Sequence, residues 1–183
     1  MTTSFDLQIQ IIEVIEIITT FAILKIRKQK PVFKESLRFF IDTKNIILSL
    51  TFILLADYIF FLFIKCQRIE IISFLILSII IAPIFEEITF RGILLGSIYL
   101  ILKEKGFNKK HTATILLTIN PIIFSLWHIF NTSTFQIEGF ISRSTTGFIL
   151  AISYWYGKRN LIPPIIAHSI SNLFINLCIY NLL

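Results

Sequence analysis

Ala82-Pro-Ile-Phe-Glu-Glu-Ile-Thr-Phe-Arg-Gly92 sets two carboxylates and a guanidinium, those of Glu86, Glu87 and Arg91, inside a run that is otherwise nearly all isoleucine, leucine and phenylalanine. On insertion scales one charge at the centre of a bilayer costs about 2.5–3.5 kcal/mol, so three uncompensated charges would cost roughly 8–10 kcal/mol. Such charges need partners or a purpose. Helix geometry decides which groups can help each other. Glu87 and Arg91 are i and i+4, stacked on one face, and can neutralise one another. Glu86 points about 100° round the helix from Glu87 and is one step too far from Arg91 for that pairing. One acid is tied down and one is left over. The leftover acid is either a spare glutamate reaching an interface or a group that does chemistry.

The surroundings of this stretch fix the class. The chain has 183 residues, 55% of them hydrophobic and 14% aromatic, where a soluble domain has about 45–50% apolar residues. The apolar runs are continuous, and the alternation of a β-barrel is absent. The sequence predicts an all-α protein: a polytopic integral membrane helix bundle of about six to seven transmembrane helices, forming a single membrane domain over residues 1–183 and multi-pass in the cell membrane. The formal net charge is +6, but the basic residues cluster between apolar segments. They read as topology signals and contacts to anionic lipid, with no nucleic-acid surface. Cys66 and Cys178 have neither disulfide nor metal spacing. Met1–Asp6 lacks a basic n-region and a small-residue cleavage site, which predicts no cleaved signal peptide.

Residues 1–64 read as two N-terminal helices around a basic cytoplasmic loop. The first, 5–24, carries a polar stripe of Asp6, Gln10 and Glu13 and is taken to span. The loop, 25–44, is the most basic segment. The second helix, 45–64, is the clearest span, with Asp57 inside it as a candidate partner for Arg143 or for a hydroxyl. From Ile69 to Leu102 a helix would be roughly 50 Å long, more than a 30 Å hydrocarbon core needs. It is either one tilted helix kinked at Pro83 or two pieces meeting there. Gly92 and Gly96 form a GxxxG pair that lets another helix approach. Lys103, Lys105, Lys109 and Lys110 follow on the cytoplasmic side. Two further spans are expected at 112–130, with Pro121 inside, and at 137–157. The latter ends in the interfacial belt Tyr154-Trp155-Tyr156 beside Lys158 and Arg159. Pro163-Pro164 opens a last helix that runs to about Tyr180.

Two polar pairs lie inside these helices: Phe124-x-x-x-His128 and His168-x-x-x-Asn172, each on a single helix face. A lone histidine in an apolar helix is usually a packing residue. Two on different helices, with an unpaired glutamate on a third, point to a site; His111, in a basic loop, reads as solvated. Glu86 with His128 is a plausible general-base pair acting on a water, and His168 with Asn172 could donate to a developing oxyanion. The alternative is zinc, held by Glu86, His128 and His168 with an open fourth position. Asn172 favours the version that requires no cofactor, since a neutral amide is a poor zinc ligand and a good donor.

In that order, Glu86-Glu87-x-x-x-Arg91, Phe124-x-x-x-His128 and His168-x-x-x-Asn172 resemble the three motifs of the CPBP (Abi, CAAX protease and bacteriocin-processing) intramembrane endopeptidases, also labelled CPBP intramembrane metalloproteases. Pro83-Ile-Phe-Glu-Glu and Phe90-Arg91-Gly92 match as well. The resemblance covers roughly residues 70–180 and implies a catalytic core at about 70–182. It implies an all-helical membrane fold in which Glu86 and His128 activate water and His168 and Asn172 support the oxyanion. Glu87, Arg91 and Phe124 fall at supporting positions. The implied partner is a membrane-bound peptide or protein substrate within the lipid bilayer; the family carries both metal-dependent and glutamate-dependent labels. The chain is short for the family, which implies that peripheral helices are missing. Two other readings stand beside the protease: a non-proteolytic binder such as a bacteriocin self-immunity protein, and an ion carrier using Glu86, Asp57 and the histidines, though no repeat symmetry supports a carrier. The topology carries one tension. If 137–157 spans fully, the two histidines are offset in depth by roughly 10–15 Å; a tilt, or a kink at Pro121, has to close the gap.

Overall fold

A computed structural model describes residues 38–61, 77–130 and 137–179. The expected span 5–24, most of the basic loop 25–44 and the start of the long apolar run lie outside these residues. The described residues are helical, without strands. Helix α1 is Thr43–Phe61. A long helix then runs in four pieces: a wide π-turn segment Leu77–Ile81, α2 at Ala82–Glu87, a second wide segment Ile88–Leu95, and α3 at Gly96–Glu104. Helices α4, Lys109–Phe130, α5, Ile137–Tyr156, and α6, Ile162–Ile179, complete the bundle. The four helices anticipated at 45–64, 112–130, 137–157 and from Pro163 onward thus form, each with a shift of a few residues.

Over its described part the run 69–102 is one helix. Ile81, Glu87, Ile88, Leu95 and Gly96, at the junctions between its pieces, all keep right-handed helical dihedrals. Pro83 lies in the first turn of α2, directly after a wide turn. Proline cannot donate a backbone bond to the preceding turn, and a π segment is where a helix takes up such a defect. Both wide segments find outside partners for their carbonyls. Asn172 Nδ2 donates to Ser78 O at 2.8 Å, and Asn120 Nδ2 donates to Phe90 O, also at 2.8 Å. The long helix ends in a Schellman turn. The Phe107 N–H reaches Leu102 O and the Gly106 N–H reaches Lys103 O, while Gly106 takes the positive φ of 77° that suits glycine.

Burial is inverted relative to a water-soluble protein. Asp57, Glu87, Arg91, Asn120, Ser125, Asn160, His168 and Ser171 are buried, whereas Ile47, Leu48, Phe52, Leu55 and Ile59 of α1 are exposed. Lipid can receive the apolar faces and cannot satisfy polar groups, so the polar groups turn inward. Two helices, at Thr43–Phe60 and Lys109–Ile129, are long and apolar enough to cross a membrane, and Ile162–Ile175 is a shorter apolar helix. The six or seven spans anticipated from the sequence are therefore not reproduced among the described residues.

Inward polar groups stitch the helices together. Asn45 Nδ2 donates to Ser153 O at 2.9 Å, and the Ser49 and Ser153 hydroxyls meet at 2.6 Å, joining α1 to α5. Ser171 Oγ donates to Asp57 Oδ2 at 2.6 Å, joining α1 to α6. Of the two partners anticipated for Asp57, it has the hydroxyl and not Arg143. Gly147 lets α5 pack tightly on α4: a Cβ there would lie 3.0 Å from Phe124 Cδ1 and 3.2 Å from Pro121 Cα. Gly92 and Gly96 are buried on the long helix.

The turn between α5 and α6 is fastened by Asn160, which is fully buried. Its Oδ1 accepts from Phe40 N at 3.1 Å and Ile162 N at 3.2 Å, and its Nδ2 donates to Phe40 O at 2.5 Å. Leu161 N donates to Arg38 O at 2.8 Å. One amide thus stands in for a strand edge. Asn160→Ala should lower stability by about 1–3 kcal/mol by stranding these backbone groups. Asn160→Asp, which keeps the acceptor, should fall between alanine and wild type in thermal unfolding in detergent.

Candidate active site

The site is assembled around α2. Glu87 and Arg91 form the i,i+4 pair that their spacing predicts, with Arg91 Nη1 to Glu87 Oε1 at 3.0 Å and no exposure of either side chain. The pair has further partners. Arg91 Nη2 donates to Gly147 O on α5 at 3.1 Å, and its Cζ lies 4.5 Å from the centre of the Phe124 ring on α4. Glu87 Oε1 also faces His168 Nδ1 of α6 at 2.9 Å. This last contact was not legible in the sequence, which links Glu87 to Arg91 alone.

Glu86, one residue earlier, turns to another side. Its Oε2 lies 3.5 Å from His128 Nε2 and 3.7 Å from His168 Nε2. The gap in depth that a fully spanning 137–157 would open between the two histidines is closed, as their shared site requires: both rings meet the same carboxylate oxygen. Depth counted from span ends presumes upright helices, and α4 carries Pro121 within it. The other nitrogen of each ring is held. His128 Nδ1 lies 2.8 Å from Phe124 O, a carbonyl that can only accept, so Nδ1 carries the proton. His168 Nδ1 faces the Arg91-paired carboxylate of Glu87, another acceptor. In the neutral ring each Nε2 is therefore a lone pair directed at Glu86.

Phe124, buried to 2% exposure, is the floor under these groups. Its ring centre lies 4.4 Å from that of His128, 5.9 Å from that of His168 and 5.2 Å from that of Phe90. Ser125 and Ser144 share a hydroxyl bond of 2.7 Å that holds α4 against α5 beside the site. Asn172 sits one turn beyond His168 with its amide on Ser78 O; the structure brings it to the wide turn of the long helix, where the sequence suggests an oxyanion donor. Arg143 is half-buried, and its charge bears on Glu86, not on Asp57. Among the described residues no group of three or more histidine, cysteine, aspartate or glutamate side chains is arranged to hold a metal ion.

The inward polar groups, the apolar outer faces and a glutamate flanked by two oriented histidines define a membrane-type helical protein with a buried polar centre. The family model of the Rce1-like proteins, described as Type II CAAX prenyl endopeptidase Rce1-like, matches residues 68–174. The chain belongs to this family, and with it to a class of membrane proteases. No curated protein matches the chain, and no solved structure matches it either.

With Glu87 and Arg91 fully buried, breaking one side of the pair strands the other. Glu87→Gln should cost roughly 3–5 kcal/mol and leave His168 facing a neutral amide in place of a carboxylate. Combining it with Arg91→Met should restore part of the stability, because no lone charge is left. Thermal unfolding of the two variants in detergent checks this; a Glu87→Gln protein as stable as wild type would refute the structural role.

Proposed function

We propose that this chain is an intramembrane endopeptidase of the CAAX-protease type, hydrolysing a peptide bond in a membrane-associated protein or peptide. One observation carries the reading. Of two adjacent glutamates in the same environment, Glu87 has no exposure and is bonded to Arg91 and His168, whereas Glu86 keeps 13% exposure beside His128, which keeps 24%. The acid with some side-chain exposure is the one flanked by two imidazoles, and its Oε2, closed off from solvent and without a hydrogen-bond partner, faces both rings.

In this mechanism a water molecule lies against Glu86 Oε2 and the histidine Nε2 atoms, which are acceptors for its protons. Glu86, assisted by His128, removes a proton as the water oxygen attacks the scissile carbonyl. The tetrahedral intermediate collapses when the same proton reaches the leaving amine nitrogen, which breaks the C–N bond and restores Glu86. His168, kept in orientation by Glu87, supports the oxyanion in its imidazolium form, whose Nε2 proton is drawn from solvent before the attack and returned after the intermediate collapses. Asn172 donates to Ser78 O in the resting structure, and donating to an oxyanion requires it to exchange that carbonyl. No step is routed through a metal; Glu86, His128 and His168 are the residues that would hold a zinc ion, which would supply Lewis-acid activation of the water. The family's name refers to prenylated tails, and a lipid-anchored substrate suits a site reached from within the bilayer.

The decisive experiment is cleavage of a membrane-anchored peptide by purified protein. Glu86→Gln should reduce it by about 10²–10⁴, as loss of a general base does, with thermal stability unchanged. Activity should persist with less than stoichiometric zinc and in strong chelators. Stoichiometric zinc that disappears together with activity in His128→Ala or His168→Ala would instead assign the three donors to a metal. Full activity of Glu86→Gln would refute the general base.

A further inference from the structure

At the far end of the long helix lies a cavity of about 510 Å³. Tyr99, in its wall, is thirteen residues beyond Glu86, roughly 20 Å along a helix, so this cavity is separate from the acidic site. Among the described residues five cationic side chains line it, those of Arg38, Lys103, Lys109, Lys158 and Arg159, and no carboxylate does. They come from four places in the chain: the segment before α1, the end of α3, the start of α4 and the turn after α5. The fold therefore gathers them against their mutual repulsion. At physiological salt charges this close are little screened, the Debye length being about 8 Å.

Two features show that the arrangement is held in place. Lys158 and Arg159 both adopt left-handed backbone, with φ of 58° and 60°, a conformation costing roughly 1–2 kcal/mol for each residue with a Cβ. The Arg159 guanidinium is fixed over the Tyr99 ring at 4.8 Å, and Tyr99 in turn meets Trp155 edge-on at 5.6 Å. The rim is apolar: Phe107 and Tyr156, both lining the cavity, are 45% and 71% exposed. Aromatic residues beside lysine and arginine mark the level of the lipid headgroups.

We propose that this cavity binds a phosphate-bearing anion at the membrane interface, and that its ligand is the headgroup of an anionic phospholipid. The cations receive the phosphate, and the exposed rings of Phe107 and Tyr156 lie against the glycerol and upper acyl chain. A soluble phosphate ester offers the same charge but nothing for the rim to hold.

The test uses the full chain in non-ionic detergent, titrated with phosphatidylglycerol and with phosphatidylcholine of the same acyl chains. Bound lipid is counted by native mass spectrometry, and thermal unfolding is followed in parallel. Phosphatidylglycerol should bind at least about tenfold more tightly than phosphatidylcholine and raise the unfolding temperature, with the preference weakening in high salt. Lys103→Gln with Lys109→Gln, both at exposed helix ends, should remove most of that preference and leave the lipid-free unfolding temperature unchanged. Arg159→Gln should weaken binding further. Glycerol phosphate should compete only at far higher concentration than the lipid. Equal binding of the two lipids, or an unaltered preference in the double variant, would overturn the proposal. Glycerol phosphate binding as tightly as phosphatidylglycerol would overturn the lipid assignment.

Discussion

Everything in this bundle is built round one ion pair removed from solvent, Glu87 with Arg91. In a low-dielectric interior such a pair gains from every partner that its spare lone pairs and protons find. Here each neighbouring helix supplies one, while Glu87 Oε2 and Arg91 Nε have no hydrogen-bond partner among the described residues. The Gly147 carbonyl of α5 takes an Arg91 N–H, the Phe124 ring of α4 lies against the guanidinium, and His168 of α6 shares Glu87 Oε1. Meeting the needs of the pair therefore fixes how three helices pack on a fourth. The same contacts aim the His168 ring, so orientation of the reactive groups is a by-product of neutralising the charges that carry the fold.

The two imidazoles reach their common neighbour by different means. His128 is held by its own helix, through the carbonyl one turn back. His168 is held by another helix, through an ionised carboxylate. One ring is thus anchored to a neutral carbonyl and the other to an ionised carboxylate, although both face Glu86. His128 is also the more exposed of the two. This asymmetry suits a division between a ring that works with the water and a ring that supports developing charge.

Local spacing carried much of this into the sequence, because groups three or four residues apart on a helix must meet. The Glu87–Arg91 pair, the odd position of Glu86 and the extents of α1, α4, α5 and α6 were all legible for that reason. Contacts between helices were not. Nothing in the spacing links Glu87 to His168, gives Asp57 to Ser171, or sets Asn120 and Asn172 on the carbonyls of the two wide turns. The wide turns themselves have no composition signal beyond Pro83. How the two histidines come level was not legible either, because depth counted from span ends treats helices as upright rods of uniform rise. The basic cavity was half legible: each cationic cluster was recognised as a topology signal, but their convergence needed the fold.

The order in which the chain is made gives the buried pair a further meaning. Glu87 and Arg91 are four residues apart, so their charges can cancel as soon as that helix forms, before any later segment has been synthesised. The helix can enter the membrane already discharged. Glu86 has no such local remedy, and the two rings that face it lie about forty and eighty positions downstream. A nascent chain halted before α6 could thus insert without a lone arginine in lipid, yet its remaining acid would lack His168. Integration is an early, local event, while the proposed catalytic group is complete only with the last described helix.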